Sequence, residues 1–156
     1  MGIEIEVKYL VESDEWVRDR KNPVGMTQAY VGRTDRGEVR VRIAEQSAWL
    51  TVKSSGPGMS RAEFEYSVPV EDASSMMEIA TGSVVEKTRW QVSHQSHEWV
   101  VDEYHGDLLG LVIAELELVA EGELFELPVW ASRDVTNDVL YKNASLASRG
   151  LPGKAP

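Results

Sequence analysis

The strongest constraint on this chain is a two-residue alternation in which the polar partner is almost always ionic. Ile3-Glu4-Ile5-Glu6-Val7-Lys8-Tyr9-Leu10 puts Glu4, Glu6 and Lys8 on one side of an extended segment and apolar side chains on the other. Val39-Arg40-Val41-Arg42-Ile43 and Trp49-Leu50-Thr51-Val52-Lys53 repeat the pattern around a turn at Glu45-Gln46-Ser47. After Gly56-Pro57-Gly58 it returns in Arg61-Ala62-Glu63-Phe64-Glu65-Tyr66-Ser67-Val68. Residues 85–92 and 98–104 read as a hairpin around His94-Gln95-Ser96, and residues 111–118 as the last clear strand. That makes seven strong strands, with an eighth around residues 26–31.

Helical signals are fewer. A helix starts at Ser13-Asp14-Glu15-Trp16 and ends by Arg20, before Pro23. A second runs from Val70 to about Ala80, a short third over residues 121–125, and a fourth over residues 137–147. Residues 148–156 read as a loose tail. The 156 residues suit one domain, residues 1–147, of mainly β (α+β) class: a sandwich or barrel with flanking helices.

Composition narrows the function. With no Cys, disulfide scaffolds, zinc knuckles, iron–sulfur ligation and thiol catalysis are excluded. A formal charge of −10 disfavours coating of nucleic acid. No run approaches the roughly 20 apolar residues of a membrane span, and the charged, alternating N-terminus is unlike a signal peptide. A cytoplasmic protein is expected. Apolar outer strand faces are compatible with a homodimer, without indicating which face pairs. There is no Walker-type phosphate loop. His94 and His97 read as exposed turn residues, Met76 and Met77 as helix packing, and Trp49 and Trp99 as packing or barrel-end cover.

Taken strand by strand, the ionic positions describe a solvated sheet face held by cross-strand pairs. Taken together they are segregated by sign: acidic pairs Glu4/Glu6 and Glu115/Glu117, basic pairs Arg40/Arg42 and Lys87/Arg89. Like charges that close on one strand need opposite charge or a cation facing them. Hard divalent ions take carboxylates plus phosphate oxygens, and phosphates take Arg forks and Lys point charges. Closing the sheet would bring seven basic residues (Lys8, Arg40, Arg42, Lys53, Arg61, Lys87, Arg89) to face seven acidic ones (Glu4, Glu6, Glu63, Glu65, Asp102, Glu115, Glu117). Such a lumen would be near neutral, and two Mg²⁺ would add about +4, roughly matching a fully ionised triphosphate.

Glu4-Ile5-Glu6-Val7-Lys8 resembles the E-x-E-x-K signature of the CYTH superfamily, also called triphosphate tunnel metalloenzymes. The resemblance continues through Arg40-Val41-Arg42, Leu50-Thr51-Val52-Lys53, Arg61-Ala62-Glu63-Phe64-Glu65 and Lys87-Thr88-Arg89-Trp90. It extends through Trp99-Val100-Val101-Asp102, Ala114-Glu115-Leu116-Glu117-Leu118 and a C-terminal segment from Asp134 to Ala147. Val7 departs from the Arg common there, with its side chain directed outward.

The resemblance implies an eight-stranded antiparallel barrel forming a charged tunnel, in the manner of short bacterial tripolyphosphatases. It implies hydrolysis of the terminal phosphate of a triphosphate, inorganic tripolyphosphate first, with Mg²⁺ or Mn²⁺ as cofactor. Glu4, Glu6, Asp102, Glu115 and Glu117 would hold metal. Lys8, Arg40, Arg42, Lys53, Lys87 and Arg89 would hold phosphate and act in catalysis. Glu63 and Glu65 would join a second metal or orient water; Arg61 would bind phosphate or make a structural ion pair; Tyr30 would contact the tunnel. Other expectations are a class IV-type adenylate cyclase, a thiamine or nucleoside triphosphatase, and a non-catalytic polyphosphate-binding module.

Overall fold

The computed structural model describes residues 2–154. Nine strands are present: β1 (Gly2–Val11), β2 (Arg20–Arg33), β3 (Gly37–Ala44), β4 (Ser47–Ser54), β5 (Ser60–Val68), β6 (Thr81–His94), β7 (His97–Tyr104), β8 (Val112–Glu117) and β9 (Ala131–Asp134). The helices are α1 (Val70–Glu78) and α2 (Asn143–Arg149). Eight strands run antiparallel in the order β5-β4-β3-β2-β6-β7-β8-β1. The sheet closes because β1 uses both edges: Glu6 to Leu10 pair with β8, and Gly2 to Ile5 pair with β5. The expected eight-stranded antiparallel barrel is therefore the observed one. The short β9 adds to β1 at Tyr9↔Asp134.

Alternation then decides the layers. Ile5, Val7 and Tyr9 of β1, Ala114, Leu116 and Leu118 in and after β8, and Trp90 and Val92 of β6 pack outside the barrel. Residues 119–130 strap across that surface, contributing Phe125 and the buried Trp130 to an edge-to-face stack with Tyr9 and Trp99. Trp99 is thus core packing. Helix α1 covers Ala29, Val41 and Ala48 on the far side, with Met76 and Met77 packed in as expected. Each fully buried Val or Leu in these layers is worth about 1.5–3 kcal/mol. The apolar core lies outside the sheet, and the inward positions are left to the charges.

Four local expectations are corrected. The first helix is a 3-10 turn at Glu15–Asp19. Pro23 does not precede the second strand but lies within it. The pairing of β2 with β6 shifts register between Lys21 and Val24, where Asn22 has φ 51°, so Pro23 falls in an irregularity that needs no ladder N–H from it. Residues 121–125 form no helix; Glu123 is instead committed to the strap, accepting from the Val119 N–H (2.6 Å) and facing His97 (3.1 Å). The fourth helix is split into a 3-10 turn at Val139–Tyr141 and α2, separated by extended Lys142. Helix α2 runs two residues into the expected tail, and Leu151 packs beneath it. Among the described residues no helix is long and apolar enough to cross a membrane.

Candidate active site

Inward positions change character along the barrel. At one end they are Tyr30, Tyr104 and Ile113, and α2 lies over them through Ala144 and Leu146. The seat of α2 is tight: a Cβ on Gly82 (φ +78°) would lie 2.6 Å from the Ala147 carbonyl oxygen, so only glycine fits. Tyr104 Oη donates to Asn143 Oδ1 at 2.6 Å, fixing the start of α2 against the sheet.

Beyond that end the lumen is a cavity of about 200 Å³ walled almost wholly by ionic side chains. It contains Glu4, Glu6, Lys8, Tyr30, Arg40, Arg42, Lys53, Arg61, Glu63, Glu65, Lys87, Arg89 and Glu115, so thirteen of the fifteen anticipated residues converge. The other two lie elsewhere. Glu117 is exposed and faces a separate concavity with Glu4, Glu63 and Glu65. Asp102 is fully buried behind the wall. Its Oδ1 accepts from Arg89 Nε (2.7 Å) and its Oδ2 from Arg89 Nη2 (2.7 Å) and Lys87 Nζ (2.5 Å). Both oxygens are committed to cations, and neither faces the cavity.

Three lining residues were not anticipated as site members: Glu38, Lys142 and Asn143. Glu38 shares the inward face of β3 with Arg40 and Arg42, so the alternation already pointed to it. Lys142 and Asn143 come from outside the sheet, where period-2 reasoning has no reach. With them the wall holds eight cations and six carboxylates. The expected near-neutral lumen is instead net positive, inside a chain of formal charge −10. Such an enclosed positive field in an acidic molecule selects a compact polyanion rather than a broad one.

The charges are interleaved. Lys8 Nζ meets Glu115 (2.9 Å) and Glu6 (3.0 Å), and Arg89 Nη2 reaches Glu115 (3.0 Å). Lys53 Nζ sits between Glu4 Oε2 (2.6 Å) and Glu63 Oε2 (2.9 Å). The second contact has the distance but not the angle of a hydrogen bond, leaving Glu63 Oε2 buried without a donor. Glu65 accepts from Thr51 (2.9 Å) and faces Arg42 (3.4 Å) and Arg40 (3.5 Å). Arg61 makes no ion pair within 4.0 Å among the described residues, so the structural-pair alternative finds no partner here. Trp49 is half-buried, with the Arg42 guanidinium 5.4 Å from its ring.

Burial and partners set the protonation states. Burial works against charged Lys8, but Glu115 and Glu6 outweigh it and hold its pKa above the ordinary value. Burial pushes Lys87 down to about 8, because Asp102 only partly compensates and Arg89 adds repulsion. Burial opposes ionised Glu115, yet Lys8, Arg89 and Lys87 draw it well below the usual carboxylate range. The phenol of Tyr30 is pushed up, chiefly by burial. At neutral pH Lys8, Lys87 and Glu115 are therefore charged.

The donor set suits a hard divalent cation: carboxylate oxygens, with neither thiolate nor imidazole lining the cavity. Among the described residues, however, no three acidic or imidazole groups already stand grouped to hold one ion.

Residues 2–151 match the CYTH domain family. A curated relative from Acetivibrio thermocellus, named inorganic triphosphatase, is 40% identical over 147 residues, covering 94% of each chain. One from Nitrosomonas europaea with the same name is 32% identical over 148 residues, covering 92% of this chain and 96% of its own. The crystal structure of the inorganic triphosphatase NE1496 superposes with a TM-score of 0.69 at 30% identity, covering 94% of this chain and 95% of that one. A fold of this kind, with its signature residues gathered in the lumen and likeness over nearly the whole length, leads to one assignment. The chain belongs to the CYTH domain family.

Proposed function

We propose that this protein hydrolyses the terminal phosphoryl group of a linear triphosphate, inorganic tripolyphosphate first among them, with Mg²⁺ or Mn²⁺. The observation that carries the reading is the net positive, carboxylate-studded cavity enclosed by the barrel. The names of the relatives point the same way. Arg40, Arg42, Arg61, Lys53, Lys87 and Arg89 bind and align the phosphate chain, and their charge balances the negative charge spreading over the phosphoryl oxygens as it transfers. Lys8, held cationic by Glu6 and Glu115, adds to that field. Asp102 acts from behind the wall, fixing Lys87 and Arg89 in position rather than holding an ion. Glu4, Glu6, Glu63, Glu65, Glu115 and Glu117 are the residues that would hold the divalent cations. Once bound, those cations neutralise phosphate charge and make water a better nucleophile.

The test is phosphate release from tripolyphosphate, ATP, thiamine triphosphate and pyrophosphate under matched Mg²⁺ and Mn²⁺. The expected result is metal-dependent release, fastest from tripolyphosphate. Tight binding without release would leave a polyphosphate-binding module; cyclic AMP and pyrophosphate from ATP would make it a cyclase.

A further inference from the structure

Five of the six carboxylates suited to a divalent cation, all but Glu117, are in this structure already paired with the cations suited to phosphate. The shortest of these contacts is made by Lys53. Its ammonium lies 2.6 Å from Glu4 Oε2 and 2.9 Å from Glu63 Oε2, where a shared metal ion would place its own charge. The side chain of Lys53 is 13% exposed, and those of Glu4 and Glu63 are each 21% exposed. None of the three can therefore exchange its partner for bulk water without cost. Glu63 Oε2 has no hydrogen-bond donor, so the lysine neutralises its charge without satisfying its lone pairs. Register explains why the triplet forms: Lys53 pairs directly with Glu63 across β4–β5, while Glu4 opposes Arg61, one inward step from Glu63 along β5.

We propose that Lys53 is a built-in occupant of a divalent-cation position, making metal binding and polyanion binding mutually dependent. A metal ion arriving alone must evict the Lys53 ammonium into a wall already rich in positive charge. A polyanion arriving alone draws Lys53 away and leaves Glu4 and Glu63 facing each other unneutralised. When both arrive, Lys53 moves onto phosphate oxygens, the metal takes the two carboxylates, and every charge keeps a partner. No covalent bond is made or broken in the exchange. Linkage requires the effect to be reciprocal, and couplings of this kind run from about 5- to 150-fold. The proposal deepens the triphosphatase reading by naming what couples its two ligands.

The test measures each ligand in the absence of the other. Calorimetric titration with Mn²⁺ alone is expected to show Lys53→Met binding about tenfold or more tighter than wild type, within the range for such couplings. Lys142→Met is the control, since Lys142 lines the same cavity but makes no ion pair among the described residues. It removes the same charge without emptying the Glu4–Glu63 position and is expected to change Mn²⁺ affinity much less. Titration with metal-free tripolyphosphate is expected to show Glu63→Gln binding tighter than wild type. Equal gains for Lys53→Met and Lys142→Met, or none for Lys53→Met, would overturn the proposal, as would unchanged or weaker tripolyphosphate binding by Glu63→Gln. If Lys53→Met fails to fold, the Glu63→Gln titration decides alone. Phosphate release by wild type, measured alongside, reports separately on the activity; an inactive wild type showing both affinity gains would sink the activity and keep the exchange.

Discussion

Two lysines buried in the same lumen meet opposite fates. Lys8, on the β1–β8 side, is flanked by two carboxylates, Glu6 and Glu115, and its pKa is held above the ordinary value. Lys87, on the β6–β7 side, shares the single carboxylate Asp102 with Arg89 and is pushed down to about 8. Lys87 is the more deeply buried, at 2% exposed against 11% for Lys8, and it has fewer carboxylates to offset that burial. One side of the tunnel therefore carries a permanent charge, and the other carries one that titrates near physiological pH.

The contrast is broken most severely by Asp102→Asn. It leaves Lys87 without its counterion and Arg89 with Glu115 alone, at a position with no access to water. A stability loss of about 3–5 kcal/mol is expected by urea unfolding, with activity lost as well. A loss under about 1 kcal/mol would show that Asp102 is not the anchor of that side. Lys8→Met comes next, at about 2 kcal/mol, because Glu115 keeps Arg89 and Glu6 is partly accessible to water. Since that change frees Glu6 and leaves Glu115 with Arg89 alone, added Mn²⁺ is expected to recover part of the lost stability, measured as an upward shift in Tm.

The titrating side gives a pH signature. As pH rises through about 8, Lys87 loses its charge in the free protein, and kcat/KM for tripolyphosphate is expected to fall several-fold. Stability moves the other way. Between about 8 and the ordinary 10.5 the unfolded chain binds the proton that the folded chain has released, so this group adds stability as pH rises through that window. Lys87→Met should flatten both profiles; an unchanged alkaline limb would assign it to another group. The smallest effect belongs to Tyr104→Phe, which removes the 2.6 Å bond to Asn143 and is expected to cost about 1 kcal/mol, read as a small drop in Tm.

Much of this was legible in the sequence because charge and alternation carry the same message. Strict period two placed Glu4, Glu6 and Lys8 on one face, and the sign pattern implied that this face was enclosed. Burial depth was not legible. Asp102 and Glu117 share the alternation with their neighbours, yet one is sealed behind Arg89 and the other reaches solvent, because strand tilt in a closed barrel spreads equivalent positions along the axis. The helical errors at residues 121–125 and 137–142 arise from tertiary demand. Glu123 is claimed by the Val119 N–H and His97, and Lys142 stays extended to bring α2 onto Tyr104 and Tyr30. The four-residue β9 has no alternation to read; it forms because the Tyr9 edge of β1 is free to receive it.

Barrel closure has a consequence for biogenesis. The signature strand β1 leaves the ribosome ahead of all its partners, β5, β8 and β9. Lys8 alone bonds Glu115, 107 positions on, and its backbone N–H meets Thr136, 128 positions on. Glu4, Glu6 and Lys8 thus stay hydrated until their partners emerge, and the cavity they line exists only once β8 and the start of α2 have followed. Contacts of such long range make assembly slow, and until then β1 and the open edge of β5 lie exposed to mispairing with other chains.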